Sequence, residues 1–342
     1  MTFGIMLILV AGIMGASFAV PMRYMQRWAW ENIWTVWSVV ALLIVPWALA
    51  FSTVSGLGTV YGEAGIKALC LTGTLGFLWG IAGFLFGLSV ELVGMSLTFA
   101  VVNGMSSAIG SLVPLLVLHR QSVFTSGGLL VSVGVFGVVM GVLLCSWAGS
   151  LRAKTKEDPA NTTMSKGNSA NFWRGLAVTF GSAVLAPCLN LGIAFGREIT
   201  AAAVNHGTSP AASTNGLLAI LFTGGFLSNI AYCVYRIRKN RTVGLFAITE
   251  SKKYFALGAL MGALWIFSYA IYGSSLSFLG EFGTVAGWPI LMAAITIASS
   301  LWDVAFGDWR KGPLRIMGLG VALLIAMVGL ISFGMARLQQ GV

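Results

Sequence analysis

Apolar residues fall into ten stretches, at roughly 3–22, 32–52, 68–90, 92–118, 124–147, 173–196, 212–235, 254–275, 279–303 and 313–336. Short polar connections separate them. Each is near the ~20 residues a helix needs to cross a ~30 Å hydrocarbon layer. Backbone polar groups inside that layer must be satisfied within the chain, and helices do so. The pattern predicts an all-α integral membrane protein with ten transmembrane helices.

One connection is long and polar. Residues 148–172 carry Lys154, Lys156, Glu157, Asp158, Pro159 and Lys166, a composition that cannot bury a core of its own. It reads as a linker between a first five-helix repeat (1–147) and a second (173–342). Five is odd, so two similar halves joined here insert with opposite orientation. Their sequences are related. Gly15-Ala16-Ser17-Phe18-Ala19-Val20-Pro21 recurs as Gly181-Ser182-Ala183-Val184-Leu185-Ala186-Pro187. A single offset of 186 carries Gly76 to Gly262, Leu78-Trp79 to Leu264-Trp265, Gly87 to Gly273, Ser89 to Ser275, Gly94 to Gly280 and Gly134-Val135 to Gly320-Val321. A 5+5 inverted repeat is the construction of many secondary transporters, which bind substrate near the midplane between the halves.

Charge sets the orientation. Sixteen of the twenty Lys and Arg lie on the connections after spans 1, 5, 7 and 9: Arg23 and Arg27, five from Arg152 to Arg174, six from Arg236 to Lys253, and Arg310, Lys311 and Arg315. The other side holds Lys67, Arg120, Arg197 and Arg337. Positive segments stay cytoplasmic. The 148–172 linker is therefore cytoplasmic, and both termini face outward, toward the periplasm across a bacterial inner membrane. The residues ahead of the first apolar run contain no Lys or Arg, so no cleavable signal is expected.

The net charge of +10 would suit nucleic acid, but the charges sit at span ends and no basic run interleaves with aromatics. Positive-inside topology accounts for them, and no nucleic-acid partner is expected. Hydrophobic residues are 57% of the chain and charged ones 9%, far from the ~25% charged of soluble domains. Cys70, Cys145, Cys188 and Cys233 are isolated in or at the ends of spans, and His119 and His206 stand alone. No metal, cofactor or catalytic residue is expected. The absence of GxxxxGK[ST] disfavours ATP-driven transport by this chain.

The segments Gly15-Ala16-Ser17…Pro21, Trp28-Ala29-Trp30-Glu31-Asn32-Ile33-Trp34-Thr35-Val36-Trp37 and Val45-Pro46-Trp47-Ala48 resemble those of the L-rhamnose–proton symporters. Leu78-Trp79-Gly80, Val93-Gly94-Met95-Ser96, Asn190, Gly224-Gly225…Asn229 and Trp265…Tyr272 continue the likeness along the whole chain. The chain departs from the family pattern at Glu91, where the family carries a basic residue, and around Glu281-Phe282-Gly283-Thr284. The resemblance implies the drug/metabolite transporter superfamily with its ten-helix inverted repeat. It also implies import of a deoxy-hexose, L-rhamnose first and L-fucose second, by proton symport with alternating access. The partners would be a small neutral sugar, a proton and membrane lipid.

A sugar ring needs aromatic faces and amide or hydroxyl groups in an apolar cavity. Trp79, Asn103, Trp265 and Trp288 fall near mid-span; these tryptophans either line a cavity or face lipid. Asn190 and Asn229 lie within spans 6 and 7, where an unpaired amide is costly, so each either bonds another helix or meets substrate. Tyr269 and Tyr272 share a helical face with Trp265. For proton coupling the acids to weigh are Glu31, Glu91, Glu281 and Asp303, with Glu31 first because of its place in the Trp-x-Trp-Glu segment. Stabilisation of the span 2 N-terminus is its alternative role. Pro21 and Pro187 occupy matched positions and are candidate hinges, or fixed bends. The rival readings are an exporter of drugs, amino acids or metabolites, a membrane-embedded enzyme, and a membrane-embedded sugar sensor.

Overall fold

A computed structural model describes residues 1–156, 169–306 and 311–340. Residues 157–168, the middle of the polar linker with Glu157 and Asp158, lie outside it, as do 307–310 with Asp308 and Arg310. Thirteen α-helices follow in order: α1 Thr2–Ser17, α2 Trp30–Val39, α3 Val45–Thr53, α4 Leu57–Val93, α5 Met95–Leu118, α6 Ser126–Lys156, α7 Ser169–Leu185, α8 Cys188–Phe195, α9 Arg197–Asn205, α10 Thr214–Asn240, α11 Ser251–Leu279, α12 Gly283–Ala305 and α13 Lys311–Gln340. Nine continuous stretches among the described residues are long and apolar enough to cross a bilayer. The stretch Ser251–Ala305 contains both α11 and α12, parted at Gly280, whose φ of 67° suits a residue without Cβ. Large apolar side chains such as Ile13, Phe51, Phe136, Leu319 and Ile325 stay exposed, as they should where the solvent is lipid.

The helices differ from the ten simple spans in local ways. Span 3 starts early, at Leu57, and turns at Gly65 (φ 78°, ψ 159°). Span 2 is α2 and α3 joined by a π-helical turn, Val40–Ile44. Pro46 lies just beyond, and the wider turn accommodates its missing N–H and ring. Span 6 breaks at Ala186-Pro187 between α7 and α8. Pro21 lies in a 3₁₀ turn, Val20–Tyr24, after α1. It follows the helix instead of kinking its interior.

The chain divides into two compact units, Met1–Ile81 with Cys188–Gly280 and Ala82–Pro187 with Glu281–Val342. Each takes helices from both sequence halves. In the first unit, α1 packs on α11, and α2, α3 and the π turn pack on α10 and α11. Hydrocarbon supplies no hydrophobic drive between helices, so close backbone approach matters, and glycines provide it. A Cβ on Gly76 would lie 1.8 Å from the carbonyl oxygen of Leu221, and one on Gly224 would lie 2.0 Å from that of Gly73. Thus α4 and α10 touch backbone to backbone. On α11, Gly258 and Gly262 would place a Cβ 2.9 Å from Val36 and 2.8 Å from Val40, which seats α11 on α2 and the π turn.

In the second unit, α6 packs against α13 through Gly127, Gly134 and Gly141, a seven-residue repeat on one face. Gly134 meets Ile331 and Gly320 meets Cys145. Ser111 Oγ donates to the carbonyl of Val285 at 2.5 Å, tying α5 to α12.

Candidate functional site

The close approaches in the first unit determine where the aromatic rings go. Gly225 makes room for Trp79, whose ring would sit 2.9 Å from a Cβ there. Gly258 and Gly262 bring α11 down so that Trp265, one turn on, meets Trp37. Trp79 and Trp265 stack with centroids 5.3 Å and planes 24° apart. Phe222 meets Trp265 edge-on at 5.0 Å, and Tyr269 lies 4.4 Å from Trp265. Trp265 and Tyr269 are buried and Trp79 is half-buried.

The amides flank this cluster. Asn229 donates from Nδ2 to its own helix at Gly225 (2.8 Å), and its Oδ1 accepts from Trp34 Nε1 at 3.1 Å. Tyr272 donates its hydroxyl to Asn190 Oδ1 at 2.9 Å, and both residues are wholly buried. Of the eight residues expected to touch substrate, Trp79, Asn190, Asn229, Trp265, Tyr269 and Tyr272 therefore share one unit. The other two, Asn103 and Trp288, lie in the second. There Trp288 is buried against Gly110 and donates from Nε1 to the carbonyl of Ser106 at 3.0 Å.

The four acids separate. Glu31 is 2% exposed. It lies in the first turn of α2. Oε1 accepts from Asn240 Nδ2 (2.9 Å) and Thr242 Oγ1 (3.0 Å), with Arg236 Nε 4.0 Å from Oε2. The carboxylate thus joins the start of α2 to the end of α10. Asn32 Nδ2 and Trp28 Nε1 extend the link to the carbonyls of Thr242 and Leu245. Asp303 pairs with Arg152 at 3.0 Å, about a third exposed. Glu281 is exposed, and its backbone carbonyl meets His119 Nε2 at 3.1 Å. Glu91 lies near the end of α4, and its side chain is outside the described residues.

Three residues missed by a search for mid-span groups adjoin this cluster. Trp30, Trp34 and Trp37 form a continuous series: Trp30 and Trp34 stack at 5.1 Å, Trp34 and Trp37 meet at 4.4 Å, and Trp37 reaches Trp265 at 5.2 Å. Their spacing of four and three residues was the available signal, since it puts all three on one helical face. The partners of Glu31, more than two hundred positions away, left no local signal.

Buried indoles edged by amides and a hydroxyl offer flat apolar faces and neutral donors, with no metal-binding cluster of His, Cys, Asp or Glu among the described residues. Those are the surfaces that a neutral, hydroxylated ring needs, and they lie among bilayer-length helices. The profile of the L-rhamnose-proton symport protein (RhaT) family matches residues 1–337, and the chain belongs to that family. An L-rhamnose-proton symporter of Yersinia pestis (strain Pestoides F) is 24% identical over 349 residues, covering 97% of this chain and 98% of the relative. One from Salmonella dublin is 22% identical over 345 residues, with 98% of each chain covered.

Proposed function

We propose that this protein imports L-rhamnose together with protons, as a ten-helix carrier of the drug/metabolite transporter superfamily in the bacterial inner membrane. Full-length similarity to relatives named as L-rhamnose-proton symporters supports this. So does the site: the stacked Trp79–Trp265 pair is the observation that carries the reading, because it puts two indole faces beside Tyr269 where a sugar's C–H surface would need them. Asn229 and the Tyr272–Asn190 pair hold the cluster and edge it with polar groups. Asn103 and Trp288 are assigned the corresponding place in the second unit, Trp288 with its N–H already committed to Ser106.

The inverted repeat has specific support in the contacts. Residues equated by the offset of 186 and related by a two-fold axis can touch only near that axis, and Trp79 and Trp265 do touch. The same operation turns the contact Gly134–Ile331 into Gly320–Cys145, and both occur.

Glu31 is the proposed coupling acid. Among the candidates whose side chains are described it is the buried one, held by Asn240 and Thr242 with Arg236 beside it. A proton would bind the state in which α10 has released it, so that proton and sugar bias the same equilibrium. Glu91, Glu281 and Asp303 are the alternatives. Pro187 and Pro21, at breaks after α7 and α1, are proposed hinges.

Uptake of labelled L-rhamnose into proteoliposomes under an imposed pH gradient tests the reading, with L-fucose as competitor. Accumulation should follow the gradient. Binding without accumulation would indicate a sensor, uptake indifferent to pH would end proton symport, and failure to bind deoxy-hexoses would end the substrate assignment.

A further inference from the structure

The indole series on α2 is more than packing requires. Trp30, Trp34 and Trp37 recur at i, i+4 and i+7 and lie in ring-to-ring contact from the Glu31 end of the helix to Trp265 in the central cluster. Trp30 and Trp34 are half-buried, whereas Trp37 is 2% exposed. Their nitrogens differ. Trp34 donates to Asn229, as Trp28 does to Leu245 and Trp47 to Thr223. Among the described residues, Trp37 Nε1 is the indole nitrogen that is fully buried with no acceptor. A core position needing only bulk would take Phe or Leu and avoid that cost, since buried donors in native proteins are almost always paired.

Resting on the sugar reading above, we propose that this ladder is the path by which the sugar ring passes between the Trp79–Trp265 cluster and the Glu31 end, with Trp37 Nε1–H donating to one of its hydroxyls. Adjacent indole faces at about one ring's spacing let a pyranose slide from one to the next without a deep well at any of them. The unpaired N–H supplies one specific polar contact along an otherwise apolar way.

The test uses the purified full-length chain in nanodiscs, titrated calorimetrically with L-rhamnose and its 2-, 3- and 4-deoxy analogues. A neutral hydrogen bond is worth roughly tenfold in affinity. Trp37→Phe should weaken L-rhamnose by about that factor, while one of the three analogues binds wild type and variant alike. Equal affinity of Trp37→Phe for L-rhamnose, or equal loss across all four sugars, would overturn the hydroxyl contact. Trp30→Leu, at a half-buried position that tolerates change, should leave the dissociation constant within about twofold but slow transport turnover several-fold. Unchanged turnover would overturn the path, and this variant decides the matter alone if Trp37→Phe fails to fold. Wild type that binds no L-rhamnose would sink the function itself, a result distinct from either.

Discussion

Glu31 is bound by groups that belong to another helix, and this makes its charge testable apart from its packing. Both Asn240 and Thr242 donate to the same oxygen, so Glu31→Gln keeps an acceptor where they need one and removes only the charge beside Arg236. The variant should fold and bind sugar. A pH difference of one unit supports up to about tenfold accumulation for one proton per sugar. Glu31→Gln should reduce that ratio to one, with downhill uptake retained, and retained accumulation would move the role to another acid. Nearby, Glu250 is held below its ordinary value of 4.5 by its own backbone N–H and by Arg27, with which it forms an ion pair. A depressed carboxyl stabilises the fold above its unfolded value, and the contribution fades as pH falls through the folded one. Glu250→Gln should therefore melt at a lower temperature than wild type at pH 7 and converge with it in acid. The difference should be small, because the pair is exposed.

Helices here are placed by the absence of side chains as much as by their presence. Gly76→Ala would drive a Cβ into the Leu221 carbonyl, whereas Gly62, before the turn at Gly65, has nothing within 4 Å of its Cβ position. Gly76→Ala should cut folded yield and lower the melting temperature sharply, by a few kcal/mol on the scale of overpacking, and Gly62→Ala should be neutral. This scale also shows what the chain's pattern discloses. Apolar length suggested the spans, and mid-span depth singled out Trp79, Trp265, Trp288 and Asn103. Of these, Trp79 and Trp265 stack while Asn103 and Trp288 lie in the second unit. Helical spacing from Trp265 added Tyr269, which meets it. Depth hid the ladder, since Trp30 and Trp34 lie toward the start of α2 and interfacial tryptophan is expected in any membrane protein. The π turn before Pro46 and the bend at Gly65 escaped notice as well, because local hydrophobicity does not register a change of helical pitch. The links from Glu31 to Asn240 and Thr242 depend on how α2 meets α10, which no single segment encodes.

Within each compact unit, polar contacts join connections that are distant in sequence. In the first, Arg27 after span 1 pairs with Glu250 after span 7, and Glu63 after span 2 bonds Asn205 and His206 after span 6. In the second, Arg152 after span 5 pairs with Asp303 at the end of span 9, and His119 after span 4 meets Glu281 after span 8. The proposed ten crossings, with the basic connections inside, would put both termini outside. Alkaline phosphatase fused after Val342 should then be active and a fluorescent protein at the same place dark, with the opposite pair of results for fusions within 157–168. A bright fluorescent C-terminus would mean an odd number of crossings. That outcome would break the inverted repeat, and with it the equivalence of Trp79 and Trp265 from which the central site was argued.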